Sequence, residues 1–99
     1  MEKNEICNFK ITDVKKIIKI VKKAEKIEKK DSYAIYRYKK NLYFLTSFGL
    51  FSVKKVKEDI SEIHPLAIIG QDTGFVKFQG KDNFFYFKIK DSEEIYRII

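Results

Sequence analysis

Residues 13–30, DVKKIIKIVKKAEKIEKK, hold the clearest periodicity in the chain. At about 100° per residue, Val14, Ile17, Ile18, Ile20, Val21, Ala24 and Ile27 fall on one half of a helix. Lys15, Lys16, Lys19, Lys22, Lys23, Lys26, Lys29 and Lys30 fall on the other half. The separation predicts one long amphipathic helix, Asp13 to Lys30, lying on an apolar layer with a lysine back in water. Thr12 and Asp13 are N-cap types, and Asp13 complements the positive end of the helix. Glu25 and Glu28 turn into the apolar half, so the last turn is expected to protrude or fray. Lysines four apart repel along the basic face, so packing of the apolar half must hold this helix.

Outward from this stretch, alternation takes over. Glu5 to Ile11 reads as a strand with Cys7, Phe9 and Ile11 on one side. Tyr33 to Tyr38 and Leu42 to Thr46 read as a hairpin about a Lys39-Lys40-Asn41 turn. With that turn, Tyr33, Ile35, Tyr43 and Leu45 share one face, and Tyr36, Tyr38 and Phe44 share the other. Leu50 to Val56 is a further strand, with Leu50, Ser52, Lys54 and Val56 opposite Phe51, Val53 and Lys55. The polar segment 57–66 leaves room for one helical turn, and Leu66 to Ile69 is a short strand. Phe75–Phe78 and Phe84–Lys90 form a hairpin across Gln79-Gly80-Lys81-Asp82-Asn83. Asp91-Ser92-Glu93-Glu94 resembles a helix start, so the C-terminal segment is expected as a short helix, with a final strand as the alternative.

The predicted architecture is α+β, one domain over residues 1–99. An N-terminal helix packs on a mainly antiparallel sheet of about five to seven strands. Both sheet faces are partly aromatic and one helix covers only one of them. The other is then covered by the C-terminal segment, buried against another copy, or left exposed.

The net charge is +7, and residues 14–30 contain eight lysines and two glutamates, nearly the whole of that excess. A basic patch on a near-neutral body points to a polyanionic partner. With 44% hydrophobic and 15% aromatic residues the chain has the mass for a core. No apolar run approaches the length of a membrane span. The N-terminus MEKNEICNFKI lacks the apolar region of a signal peptide, and a cytoplasmic location is expected, in the host cytoplasm if the source is viral. Low amide content (four Asn and two Gln) with 35% charged residues leans toward a thermophile. The lysine- and isoleucine-rich composition resembles that of small proteins from viruses of hyperthermophilic archaea.

No residue set demands a chemistry. Asp72-Thr73-Gly74 after Ile68-Ile69 is similar to the Asp-Thr-Gly of aspartic proteases. Phe75, however, stands where that family has a small residue, and the 25 residues that follow are too few for the rest of that fold. His64 is the single histidine, with Glu58, Asp59 and Glu62 near it in sequence. Cys7 cannot form an intramolecular disulfide, and no cysteine zinc site, phosphate loop or dinucleotide fingerprint is present. The expectation is no enzyme, no cofactor and no metal.

What remains is a lysine helix beside a tyrosine-rich hairpin. Lysines neutralise phosphates without reading sequence, exposed tyrosines stack on unpaired bases, and Arg37 between tyrosines would clamp a phosphate. The candidate nucleic-acid contacts are Lys15, Lys16, Lys19, Lys22, Lys23, Lys26, Arg37, Tyr36 and Tyr38. In order and charge, over about half the chain, strand, lysine-backed helix and hairpin meander resemble the repeating unit of DNA sliding clamps. That resemblance implies a helix facing DNA and a ring of several copies. The leading expectation is a basic accessory protein that binds DNA or RNA non-specifically. The alternatives are a structural or interaction module that forms a homo-oligomer through the aromatic sheet face, and an amphipathic helix on an anionic membrane.

Overall fold

The structure, a computed structural model, describes residues 8–57, 60–71 and 74–99. The elements run α1 (Val14–Lys23), β1 (Glu25–Lys29), β2 (Tyr33–Tyr38), β3 (Asn41–Thr46), β4 (Gly49–Val56), α2 (Ile60–Ile63), β5 (Pro65–Gln71), β6 (Phe75–Gly80), β7 (Phe85–Ile89) and β8 (Ile95–Ile98). The fold is α+β, dominated by the sheet.

The helix is shorter than the expected Asp13 to Lys30. The Asp13 carboxylate accepts from the Lys15 and Lys16 backbone N–H groups at 3.0 and 3.3 Å and starts α1. Ala24 then swings to φ −72°, ψ 152°, and the helix stops after 10 residues. Glu25 and Glu28, which interrupt the apolar half, belong to β1 instead. A bulge between Lys26 and Glu28 keeps Lys26 beside Tyr36 and Glu28 beside Ile35. The carboxylates therefore mark a change of period from helix to strand, not a fraying turn.

The tyrosine hairpin is corrected in register. Lys39 and Lys40 take φ of 51° and 71°, a two-residue turn with both central residues left-handed. Asn41 pairs with Tyr38 rather than capping the loop, and the ladder runs Ile35↔Phe44, Tyr36↔Tyr43 and Arg37↔Leu42. A one-residue shift exchanges the faces of a strand. Tyr33, Ile35 and Phe44 thus share the inner face, and Tyr36, Tyr38 and Tyr43 the outer one. Left-handed backbone costs an L-residue about 1–2 kcal/mol. Replacing Lys39-Lys40 by Asn-Gly, the preferred pair for this turn, is expected to raise stability by about 1 kcal/mol in urea unfolding. A loss of stability would mean that the turn is of another type.

The eight strands among the described residues form one antiparallel sheet in the order β1-β2-β3-β4-β8-β7-β6-β5. Two four-strand meanders meet where β4 pairs with β8, Val53↔Ile98 to Val56↔Ile95. The C-terminal segment is thus a central strand rather than a helix. Asp91 at φ 58° and the Ser92 hydroxyl, accepting from the Glu94 N–H at 3.0 Å, make a turn where a helix start was expected. No strand precedes α1 among the described residues. Asn8 and Phe9 form a 3₁₀ turn and Phe9 is exposed, while the Cys7 part of the expected strand lies outside the described residues. Residues 8–11 of the expected strand are therefore not in a strand, and the described residues do not carry the first part of the order behind the sliding-clamp analogy.

The sheet is strongly curled. Neighbouring strands lie about 4.8 Å apart, so β3 and β7 would stand about 14 Å apart in a flat sheet. Yet the Phe44 and Phe87 rings stack at 4.4 Å between centroids. Tyr33 on β2 meets Phe75 on β6 at 5.8 Å, and the Gly74 N–H donates to the Ser32 hydroxyl at 3.1 Å. Gly74 suits this seam, since a Cβ there would stand 2.9 Å from both the Ser32 hydroxyl and the Tyr33 ring. The aromatic face is accordingly a packed interior of Tyr33, Ile35, Phe44, Phe51, Phe75, Phe87, Tyr96 and their neighbours. This settles which face is closed, and removes the exposed aromatic surface through which a homo-oligomer was expected to form.

The outer face carries two smaller clusters. Ile20, with Ile17 and Ala24, seats α1 on Ala34, Tyr36, Tyr43 and Leu50. Ile63 of α2 covers Phe78, Tyr86 and Ile95. Among the described residues no helix is long and apolar enough to cross a membrane.

Candidate nucleic-acid interface

Helix α1 crosses the outer face above β2, β3 and β4, and only Ile20 of its residues is fully buried. A helix held by so narrow a seat stands proud of the sheet. Lys15, Lys16, Lys19, Lys22 and Lys23 are all exposed, and Lys26 on β1 continues them. Among the described residues none of the six forms an ion pair. The two pairs present, Arg37–Glu25 at 3.9 Å and Lys55–Glu94 at 3.5 Å, lie elsewhere. Val14, Ile18 and Val21, expected inside, instead form an exposed stripe along one flank of α1.

The aromatic half of the candidate site does not assemble as expected. Tyr36 is only 4% exposed, and Tyr43 beside it is buried too. Lys26 lies over the Tyr36 ring at 5.9 Å, and Lys16 over the Tyr43 ring at 6.0 Å. These rings support lysine stems and cannot stack on a base. Tyr38 is half-buried beneath Lys39, at 5.4 Å. Arg37 is exposed but alternates onto the inner side of β2, paired with Leu42, so the sheet separates it from Tyr36 and Tyr38. The tyrosine-and-arginine clamp is not formed.

Two basic residues escaped the sequence reading. Lys54 and Arg97 sit directly opposite each other across β4 and β8, on the outer face. The alternation within β4 set Lys54 on the face opposite Phe51 and Val53 but did not say which face is the outer one. Arg97 had no face to be assigned while its segment was read as a helix.

Inside, a polar cluster closes the seam between β1, β2 and β8. The Tyr33 hydroxyl donates to Glu28 Oε2 at 2.6 Å, and the Tyr96 hydroxyl to Glu94 Oε1 at 2.9 Å. Outside, the Tyr86 hydroxyl donates to Asp82 Oδ2 at 2.5 Å. Burial, then the bond to Glu28 and its charge, holds Tyr33 well above the usual phenol range. Burial, then Glu94, does the same for Tyr96. Tyr86 is pushed up to about 12 by burial and then by Asp82. The native state therefore keeps these protons above pH 10, where the unfolded chain loses them. Stability is full below about pH 10 and falls as pH rises toward and past 12. Phenolate absorbance should show three of the six tyrosines ionising only as circular dichroism reports unfolding. Six tyrosines titrating together at their ordinary pH, with the fold intact, would contradict these contacts.

The remaining sequence candidates do not converge. His64 is exposed in the turn before β5, at φ 57°. Glu58, Asp59, Asp72, Thr73 and Cys7 lie outside the described residues. Among the described residues no group of three or more His, Cys, Asp or Glu is arranged to hold a metal ion. A groove of about 490 Å³ at the seam, lined by Glu28, Ser32, Gly74, Lys90, Asp91 and others, mixes both signs of charge and favours neither. Comparison with protein-family models, curated proteins and solved structures finds no match.

Proposed function

We propose that this chain is a small non-enzymatic accessory protein that binds nucleic acid non-specifically through the lysine face of α1. One observation carries the reading: Lys15, Lys16, Lys19, Lys22 and Lys23 on a raised helix, with Lys26 continuing them on β1, are exposed together without ion pairs among the described residues. Helix α1 contains no acidic residue at all. Such a ridge neutralises phosphates, and each contact releases counterions without distinguishing bases. Because Tyr36 and Tyr43 are buried, the affinity rests on the phosphate backbone and not on stacking. The contact set accordingly keeps the six lysines and sets aside Tyr36, Arg37 and Tyr38. The test is a titration of duplex and single-stranded DNA and of RNA across salt concentrations, beside a variant with helix lysines neutralised. Absence of binding at low salt would end this reading.

A second reading has its own observation. Val14, at 65% exposed, aligns with Ile18 and Val21 as an unpartnered apolar stripe. That stripe suits a protein-interaction module, with contact made through α1 rather than through the aromatic sheet face. Light scattering of the wild type and of Ile18→Glu separates self-association from the monomeric state.

A further inference from the structure

On the nucleic-acid reading above, we infer that Lys54 and Arg97 form a second phosphate-contact point. It carries the same phosphodiester backbone off α1 and across the outer face of the sheet. Residues directly opposed on antiparallel strands stand about 4.5–5.5 Å apart at Cβ, and like charges in that relation destabilise the pair. Lys54 and Arg97 are in that relation on β4 and β8, and neither forms an ion pair among the described residues.

The carboxylates near them are already committed. Asp82 accepts from the Tyr86 hydroxyl through Oδ2 and from the Phe84 N–H through Oδ1. Glu94 pairs with Lys55, which alternates to the inner side of β4. Arg97 lies over the exposed Phe84 ring at 4.8 Å, and its Nε is buried with no hydrogen-bond partner. Two directly opposed cations without an ion pair among the described residues leave a place for an anion to resolve the repulsion.

The sheet register joins this pair to the helix. Lys16 lies over Tyr43, Tyr43 pairs with Ser52, and Lys54 is two residues along β4 on the same face. Two residues of strand cover about 7 Å. A duplex carries one charge per about 3.4 Å of axis along each strand, so phosphates two apart on one strand match that step. The basic track thus runs from Lys23 and Lys16 on α1 to Lys54 and then Arg97.

The experiment measures the salt dependence of binding to a short mixed-sequence duplex for wild type, Lys54→Gln, and Lys54→Gln with Arg97→Gln. Losing two phosphate contacts should flatten the slope of log K against log salt by about 1.8. Lys54→Arg and Arg97→Lys keep the charge and should keep the slope. Lys54→Gln, which relieves the opposed charges, should melt no lower than wild type while binding more weakly. If Arg97→Gln fails to fold, Lys54→Gln alone decides, with an expected change of about 0.9. An unchanged slope in the Gln variants, while neutralised helix lysines lower it, overturns this inference and leaves the helix reading standing. A wild-type protein that binds no duplex at low salt overturns both.

Discussion

Phe87→Ala is expected to remove about 3–5 kcal/mol of stability, the range for deleting a fully buried aromatic side chain. Phe87 has no exposed surface, and its ring meets Phe44 at 4.4 Å, Phe51 at 5.4 Å and Phe75 at 5.5 Å. These partners come from β3, β4 and β6, so the ring ties the far halves of the curled sheet across its interior. Domains of this size are stable by about 5–15 kcal/mol in total. At about 4–8 °C per kcal/mol, the variant should melt on the order of 20 °C lower, or be largely unfolded. Phe87→Leu keeps much of the volume but loses the ring geometry, which is worth about 0.5–1.5 kcal/mol per aromatic pair, and should fall between. Phe9→Ala is the control, because Phe9 is exposed and meets the Phe85 ring edge-on at 5.7 Å. A Phe87→Ala protein that melts within a few degrees of wild type would mean the sheet is not wound around these rings.

The same residues explain what the sequence discloses and what it hides. Binary alternation is local, so most strands and the α+β class can be read directly, and so can the placement of Lys54 on the face of β4 opposite Phe51 and Val53. Face assignment across a hairpin depends on turn length. Lys-Lys is a poor signal for a two-residue turn, which normally shows Asn or Gly at positive φ. The exchanged faces of Tyr43 and Phe44 follow from that single residue. Ile95-Tyr96-Arg97-Ile98 alternates like a strand, but a preceding Asp-Ser-Glu-Glu offers a helix start just as well. The choice is made by β4, some forty positions earlier in the chain, whose free edge takes β8. Pairing at that separation leaves no local trace. The curl of the sheet is of the same kind, for nothing in the spacing of Phe44 and Phe87 foretells their stacking. The candidate site was legible in its charge and not in its aromatics, because lysine exposure follows from helical period whereas tyrosine exposure follows from register.

Neutralising the helix should separate binding from folding in opposite directions. About five lysine contacts to duplex DNA give a slope of log K against log salt near −4.5, so affinity should fall about 500-fold between 50 and 200 mM salt. Replacing Lys15, Lys19, Lys22 and Lys23 by glutamine removes about four contacts. At 0.1 M salt this weakens binding by on the order of 10³-fold and flattens the slope by about 3.6. The fold should not suffer. All four side chains are exposed and none forms an ion pair among the described residues. Glutamine is nearly as good a helix former as lysine. The change also removes the repulsion of Lys15 with Lys19 and of Lys19 with Lys23, so stability should hold or rise by a few tenths of a kcal/mol. Tyr36→Phe should leave binding untouched, because that ring is buried beneath Lys26. A chain that melts as high as wild type and binds on the order of 10³-fold more weakly would assign the lysines to a polyanion rather than to solubility. A variant that binds like wild type, with the same slope, would assign them to solubility alone.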